Sequence, residues 1–107
     1  ADRGDGMILE VALLKIKPGE GAGFERAFPQ AEKILVQAKG HLSHELRRCI
    51  ETPDRYLLLV KWETLADHSE GFRGSPLFKQ WRAVIGPFFD GTPAVEHYEE
   101  LRRGAAA

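Results

Sequence analysis

Cysteine is nearly absent from this chain of 107 residues, which contains only Cys49. One cysteine cannot form an internal disulfide, so we expect a cytoplasmic protein in which Cys49 is a half-buried strand residue. The metal-binding and redox spacings CxxC, HxH and HExxH are missing too, and the four histidines are scattered. The sequence therefore predicts no bound metal and no cofactor.

Long apolar runs and an excess of one charge are also missing. A membrane-spanning helix needs about 20 consecutive apolar residues, whereas the run MILEVALL is interrupted by Glu10 and is typical of a strand. The 15 Lys and Arg residues nearly balance the 16 Asp and Glu residues. Proteins that bind nucleic acid usually carry a basic face. We therefore expect neither a membrane nor a nucleic-acid partner, and no secretory signal is recognisable.

The remaining composition is that of a single globular domain, with 43% hydrophobic and 29% charged residues. We expect this domain to span residues 7–101. Residues 1–6 are small, polar and rich in glycine, which is typical of a leader or a remnant, and residues 102–107 are expected to form a tail.

The first half of the chain predicts three strands and a helix. Residues 8–17 have apolar side chains at both even and odd positions, which indicates a strand covered on both faces. Apolar residues at three- and four-residue steps predict an amphipathic helix over residues 24–38, with a kink or a weak first turn at Pro29. Residues 41–51 and 55–63 indicate two strands joined by a proline-containing turn.

The second half predicts a helix in two pieces and a last strand. Thr64 and Asp67 form a capping-box pattern for a short helix that ends near Gly71. A second helix begins at Ser75 with Pro76 and ends before the next Gly-Pro pair, and residues 93–100 predict a short strand.

The resulting order, β-α-β-β-α-β, predicts an α+β ferredoxin-like fold with a four-stranded antiparallel sheet and helices on one face. Helices can cover only one side of such a sheet, yet the first and third strands are apolar on both faces. A second copy of the chain is the simplest cover, so we expect a homodimer with its sheets face to face.

The segment WETLADHSEGFRGSPLF at residues 62–78, with Trp81, GPFF at residues 86–89 and VEHY at residues 95–98, resembles the antibiotic biosynthesis monooxygenase (ABM) domain family. The similarity covers residues 7–101 and is most specific in the pattern HxxxFRxSxxF after the strand-closing tryptophan. The resemblance implies a dimeric α/β barrel with a pocket between sheet and helices. Relatives include cofactor-independent oxygenases, quinol oxidases, haem-degrading enzymes and members without known activity.

Haem degradation is not expected for this chain. The haem-degrading relatives use an asparagine on the first strand together with a tryptophan and a histidine, whereas this sequence contains no asparagine. Judged by the surrounding residues, the asparagine position falls near Ala12 and that of the haem-ligating histidine near Arg82.

His68 is predicted to be the catalytic base, because it shares a helical face with apolar residues and burial keeps an imidazole neutral. The alternative is a core histidine that caps a backbone carbonyl. Arg82 and Arg73 are predicted to hold a phenolate or an enolate, or else to be solvated or salt-bridged. Five aromatic residues are predicted to hold a flat substrate, or else to pack in the core: Trp62, Phe72, Phe78, Trp81 and Phe88.

Two further polar positions remain open. Glu10, alone among apolar neighbours, must be paired, have a raised pKa or face the rim, and Lys61 is its most obvious partner. His97 and Tyr98 alternate on the last strand, so only one of them can face inward, and an interface role is favoured for that strand.

Three functions are compatible with these patterns. The first is a cofactor-independent monooxygenase or quinol oxidase that acts on an aromatic phenol or hydroquinone. The second is a binding module for the same small aromatic ligands without turnover. The third is an isomerase that moves protons without using oxygen.

Overall fold

The computed structural model describes residues 7–105. Residues 1–6, expected to be a leader or a remnant, and the last two residues of the expected tail lie outside the described residues. In chain order the elements are β1 (Ile8–Lys15), α1 (Gly21–Leu35), β2 (His41–Arg48), β3 (Arg55–Trp62), a π-helical turn (Asp67–Phe72), α2 (Pro76–Ile85), a 3₁₀ turn (Gly86–Phe88) and β4 (Ala94–Glu99).

The four strands form one antiparallel sheet in the order β2-β3-β1-β4. This topology confirms the predicted ferredoxin-like α+β fold. In the sheet, Glu10 of β1 is the register partner of Val60 on one side and of His97 on the other. Because directly paired residues place their side chains on the same face of a sheet, Glu10 and His97 lie on one face.

The helices cover the face of the sheet to which Glu10 belongs. Alternate residues of β3 are buried there, and its last residue, Trp62, is fully enclosed. The side chains that are almost completely buried come from both layers: Trp62, Phe24, Leu35, Ile85 and Val60. Packing of an amphipathic helix face on one face of a sheet explains this core.

Several boundaries differ from the predicted ones, and the differences of more than one residue lie in the first half of the chain. β1 ends at Lys15 and not at residue 17, since Ile16 forms only an isolated bridge with Phe89. β2 ends at Arg48 and not at residue 51, because the chain turns there, with the Thr52 N–H donating to Cys49 Sγ at 3.3 Å. The first helix is shifted to Gly21–Leu35 and continues through its internal proline.

The short helix predicted before Gly71 is a π-helical turn, and this is a correction of its type. The predicted capping contact is present, since the Asp67 N–H donates to Thr64 Oγ1 at 3.1 Å. His68 and Phe72, four residues apart in this i→i+5 bonded turn, are both buried against the sheet. Their rings stack with centroids 6.3 Å apart.

The opposite face of the sheet is not covered by any helix of the described chain. Its central side chains are apolar and only half-buried: Leu9, Val11, Leu13, Leu57 and Leu59. Residues 101–105 are exposed and carry no regular secondary structure. Within the described part of the chain, no helix is both long enough and apolar enough to span a membrane.

Candidate functional site

A cavity of ≈ 330 Å³ lies between the helix-covered face of the sheet and the segment formed by the π-helical turn and α2. Strands β1 and β3 provide an apolar floor that includes Ala12, Leu14 and Leu58. The polar and aromatic groups that line it are Glu10, His68, Phe72, Arg73, Phe78, Trp81, Arg82, Phe89 and Thr92. An apolar cavity with a few polar groups is the usual form of a small-molecule site.

Glu10 is a carboxylic acid held inside an otherwise apolar strand. Its side chain is oriented toward the helices by the alternation of β1, and the residue is only 7% exposed. The Trp62 indole Nε1–H donates to Glu10 Oε1 at 2.9 Å. Burial raises the pKa of Glu10, whereas the Trp62 hydrogen bond and the charge of Arg73 act in the opposite direction.

His68 is the second polar group of the cavity and is 3% exposed. Its ring stacks on the Trp62 indole with centroids 5.2 Å apart, and its Nε2 lies 3.3 Å from Glu10 Oε1. Burial, with smaller effects of His97 and Arg73, lowers the pKa of His68 to about 4. The imidazole is therefore neutral at pH 7 and can accept a proton.

His97 extends this group beyond the cavity. Its Nε2 lies 2.7 Å from His68 Nδ1, within hydrogen-bond distance. Burial and the charge of Arg73 lower the pKa of His97. Since His97 faces the helices while its neighbour Tyr98 is exposed, the open question of which residue faces inward is resolved in favour of His97.

Aromatic rings from the π-helical turn and α2 form the wall of the cavity. The Phe72 ring makes edge-to-face contacts with Phe78, at a centroid distance of 5.5 Å, and with Trp81, at 6.1 Å. Edge-to-face pairs are a favourable arrangement of aromatic rings. The three rings therefore pack together and form an apolar wall against which a flat ligand can lie.

Two arginines flank one ring of this wall. The Arg73 and Arg82 guanidinium carbons lie 5.6 Å and 5.8 Å from the Phe78 centroid, within the range of cation–π contact. Both residues line the cavity and are otherwise exposed. Among residues 7–105, no carboxylate forms an ion pair with either arginine. The entrance is therefore positively charged.

The structure brings six of the eight predicted site residues together around this cavity: His68, Arg73, Arg82, Phe72, Phe78 and Trp81. Trp62 does not line the cavity. It contacts two residues that do, through its hydrogen bond to Glu10 and its stacking on His68. Phe88 does not line it either, since its ring packs against Phe24 with centroids 6.2 Å apart.

Sequence reasoning missed three aspects of the site. Lys61 was expected to be the partner of Glu10, but it is the register partner of Leu9 and therefore lies on the opposite face. An interface role was favoured for the strand of His97, because alternation alone does not show whether its odd- or even-numbered residues face the helices. Phe89 lines the cavity in place of its neighbour Phe88, a choice that depends on how the 3₁₀ turn rotates the chain.

The site contains no evident metal centre. Within residues 7–105, no group of three or more His, Cys, Asp or Glu side chains is arranged to hold a metal ion. Glu10, His68 and His97 contact one another in a row and do not converge on a common point.

The fold and the cavity define a ferredoxin-like α+β domain with a cavity between its helices and its sheet. The family model of the antibiotic biosynthesis monooxygenases (ABM) matches residues 7–84. The chain belongs to this family, and the resemblance identified from the sequence is confirmed.

Three relatives illustrate the similarity. An uncharacterised Bacillus subtilis protein, YczJ, is 46% identical over 95 residues, which are 89% of this chain and 100% of that protein. A crystal structure from Bordetella bronchiseptica, provisionally named an antibiotic biosynthesis monooxygenase, is 39% identical with a TM-score of 0.87 and covers 91% of this chain and 99% of its own. A similarly named structure from Caulobacter crescentus is 28% identical with a TM-score of 0.75, covering 91% and 92%.

Proposed function

We propose that this protein is a monooxygenase or quinol oxidase that acts on a flat phenol or hydroquinone held in the cavity. The observation that carries the proposal is an enclosed, neutral imidazole, His68, at a cavity with an aromatic wall and a positively charged entrance. Membership in the ABM family supports oxygen chemistry on this fold, although the names of the relatives specify no substrate.

The size and the walls of the cavity favour a small aromatic ligand. At ≈ 330 Å³ the cavity is near the lower end of the usual range of about 300–1,000 Å³ for ligand sites. A ligand with one or a few fused rings fits this volume. Packing such a ring against Phe72 and Trp81 buries apolar area without freezing flexible side chains.

In the proposed reaction, His68 accepts the proton of a substrate hydroxyl group. The resulting phenolate is electron-rich and transfers electrons to O2. A hydroquinone loses two protons and two electrons in total, so that O2 becomes H2O2 and the substrate becomes a quinone. In a monooxygenation, the substrate is a phenol whose keto tautomer has a ring CH2 group; this group is converted to C=O, with one oxygen atom of O2 retained in the product and the other released as water. The substrate supplies the electrons in both cases.

The two arginines would stabilise the anion that this proton transfer creates. Arg73 and Arg82 place two positive charges in the lining of the cavity, next to the Phe78 ring. A phenolate is stabilised by a nearby guanidinium, and the effect is strongest where water is excluded. The same charges favour substrates that carry an additional acidic group.

We also propose that the protein is a homodimer. The half-buried leucines on the uncovered face of the sheet support a second copy of the chain as the cover. Dimer formation through that face would leave the cavity intact, because the cavity lies on the other face.

Oxygen uptake tests the proposed reaction. Chelator-treated protein is assayed with a panel of hydroquinones, anthrones and naphthols, and His68→Ala is assayed in parallel. We expect saturable uptake by the wild type and a loss of at least about tenfold in the variant, since general-base catalysis contributes about 10²–10⁴-fold. His44→Ala, which removes a histidine that does not line the cavity, is the matched control.

The remaining outcomes separate the alternatives. A loss below about threefold in His68→Ala would remove His68 from the role of base. Saturable binding of the same compounds, seen as quenching of Trp62 or Trp81 fluorescence without oxygen uptake, would indicate a binding module. Product formation under anaerobic conditions would indicate an isomerase.

A further inference from the structure

Three ionisable side chains form a continuous row of contacts that leads out of the cavity. Glu10 Oε1 lies 3.3 Å from His68 Nε2, and the other nitrogen of the same ring, Nδ1, lies 2.7 Å from His97 Nε2. Glu10 and His68 line the cavity, whereas His97 does not. An imidazole can accept a proton on one nitrogen while it donates a proton from the other.

His68 Nε2 is the position where a proton can enter this row. Within residues 7–105 this nitrogen has the 3.3 Å contact with Glu10 Oε1 but no hydrogen bond, whereas Nδ1 is occupied by His97. It is therefore free to accept from a hydroxyl group in the cavity. The Glu10 carboxylate beside it would stabilise the positive charge that the ring then carries.

His97 is the member of the row that can reach solvent. It lies on β4, an edge strand of the sheet, and is half-buried, whereas His68 is enclosed. A ligand in the cavity would separate His68 from the water at the exposed part of the lining, which includes Arg73 and Arg82. The proton then needs a different exit, and His97 provides one on the helix-covered side.

We propose that Glu10, His68 and His97 form a proton relay that carries the substrate proton from the cavity to solvent, with His97 as the outlet. The relay rests on the function proposed above, because it requires a ligand that gives up a proton. In this arrangement His68 is the catalytic residue, while Glu10 and His97 act through it.

Each step of the relay conserves protons. The substrate hydroxyl proton binds to His68 Nε2, and the imidazolium is stabilised by Glu10. The proton on His68 Nδ1 moves to His97 Nε2, and His97 then releases its Nδ1 proton to water. Both rings end neutral, and exchange with water after product release restores the starting tautomers.

A second row with the same chemistry lies outside the cavity and provides a control. His44 Nδ1 lies 2.9 Å from His41 Nε2, and His44 Nε2 lies 2.7 Å from Glu32 Oε2. None of these three residues lines the cavity. The variant His44→Gln therefore removes a histidine from a similar row without touching the proposed relay.

The test compares wild type, His97→Gln and His44→Gln in the oxygen-uptake assay, with and without added imidazole. Glutamine keeps polar groups at position 97 but cannot transfer a proton through its side chain. We expect kcat of His97→Gln to fall about tenfold, within the range of proton-transfer effects, with KM changed less than about twofold. Imidazole should restore most of the lost rate, and His44→Gln should behave as the wild type.

Two results would overturn the relay. One is an unchanged kcat in His97→Gln, and the other is a reduced kcat that imidazole does not restore, which would indicate a structural role for His97.

If the wild type consumes no oxygen, the function proposed above fails, and p-nitrophenol replaces the substrate as the probe of proton transfer. After a pH jump, ionisation of the bound dye should be slower in His97→Gln and recover with imidazole, whereas equal rates in both proteins would overturn the relay.

Discussion

The burial of His68 makes the free energy of unfolding depend on pH. The pKa is about 4 in the folded protein and 6.5 in an exposed imidazole. Between these values the unfolded state binds a proton that the folded state does not, so stability falls as the pH falls through this window. The difference corresponds to roughly 3 kcal/mol. The groups that face this ring are Glu10, His97 and Arg73.

Urea denaturation between pH 7 and pH 4 measures this effect in the wild type and in His68→Gln. We expect a smaller loss of stability in the variant, because glutamine does not titrate. Glu10, whose pKa is raised by burial, has the opposite effect on the pH dependence, but both proteins retain it. Parallel curves for the two proteins would contradict the assignment of the titration to His68.

The polar site shows how far the sequence could predict single residues. The inward orientation of His68 followed from its helical spacing to apolar neighbours, and the need of Glu10 for a partner followed from its apolar strand. The identity of that partner did not follow, because it depends on register. Only the folded sheet places Glu10 between Val60 and His97.

At the scale of elements, Gly74 follows the π-helical turn at a position where the backbone leaves no room for a side chain. A Cβ atom at this position would lie 2.6 Å from the Glu70 carbonyl oxygen, so the backbone would have to shift. At Gly71, within the turn, the nearest atom would be the Ala66 carbonyl oxygen at 3.6 Å, an ordinary contact. The shift at position 74 would also move its neighbour Arg73, which lines the cavity.

We therefore expect Gly74→Ala to be destabilised by about 1–3 kcal/mol and to bind aromatic ligands more weakly. The matched variant Gly71→Ala should stay within about 0.5–1 kcal/mol of the wild type. Urea denaturation and quenching of Trp81 fluorescence provide the two measurements. Equal stability of the two variants would show that the contact with Glu70 relaxes easily.

Hydrophobic spacing and turn signals predicted the four strands and the two α-helices of residues 7–105, but neither the type of the turn before α2 nor the 3₁₀ turn after it. The apolar spacing of Leu65, His68 and Phe72 is compatible with an α-helix, yet Leu65 is exposed while the other two residues are buried. The i→i+5 bonding of a π-helix does not follow from this spacing, because residues four apart also share a face of an α-helix.

At the scale of the whole molecule, the order of the elements could be predicted because each strand and helix has its own hydrophobic period. The position of the cavity required the assembled layers, since its walls come from β1, β3, the π-helical turn and α2. The apolar character of the opposite face could be predicted, because side chains alternate between the two faces along each strand. Val11 and Leu59 are paired on that face and have no helix above them.

The last prediction concerns this face. Light scattering at micromolar concentration should give twice the 12.0 kDa mass of one chain, because a dimer buries the apolar side chains that one chain leaves half-exposed. Leu59→Glu places a charge at the centre of this face and should yield a folded monomer, since the side chain is not part of the core between sheet and helices.

Val36→Lys is the matched control, because Val36 is 52% exposed at the end of α1 and lies away from the uncovered face. It should remain dimeric, and circular dichroism should confirm that both variants are folded. A monomeric wild type would contradict the homodimer. A dimeric and folded Leu59→Glu would show that the interface lies on another surface. Because the cavity lies on the other face, ligand binding measured per chain should be the same in the monomeric variant.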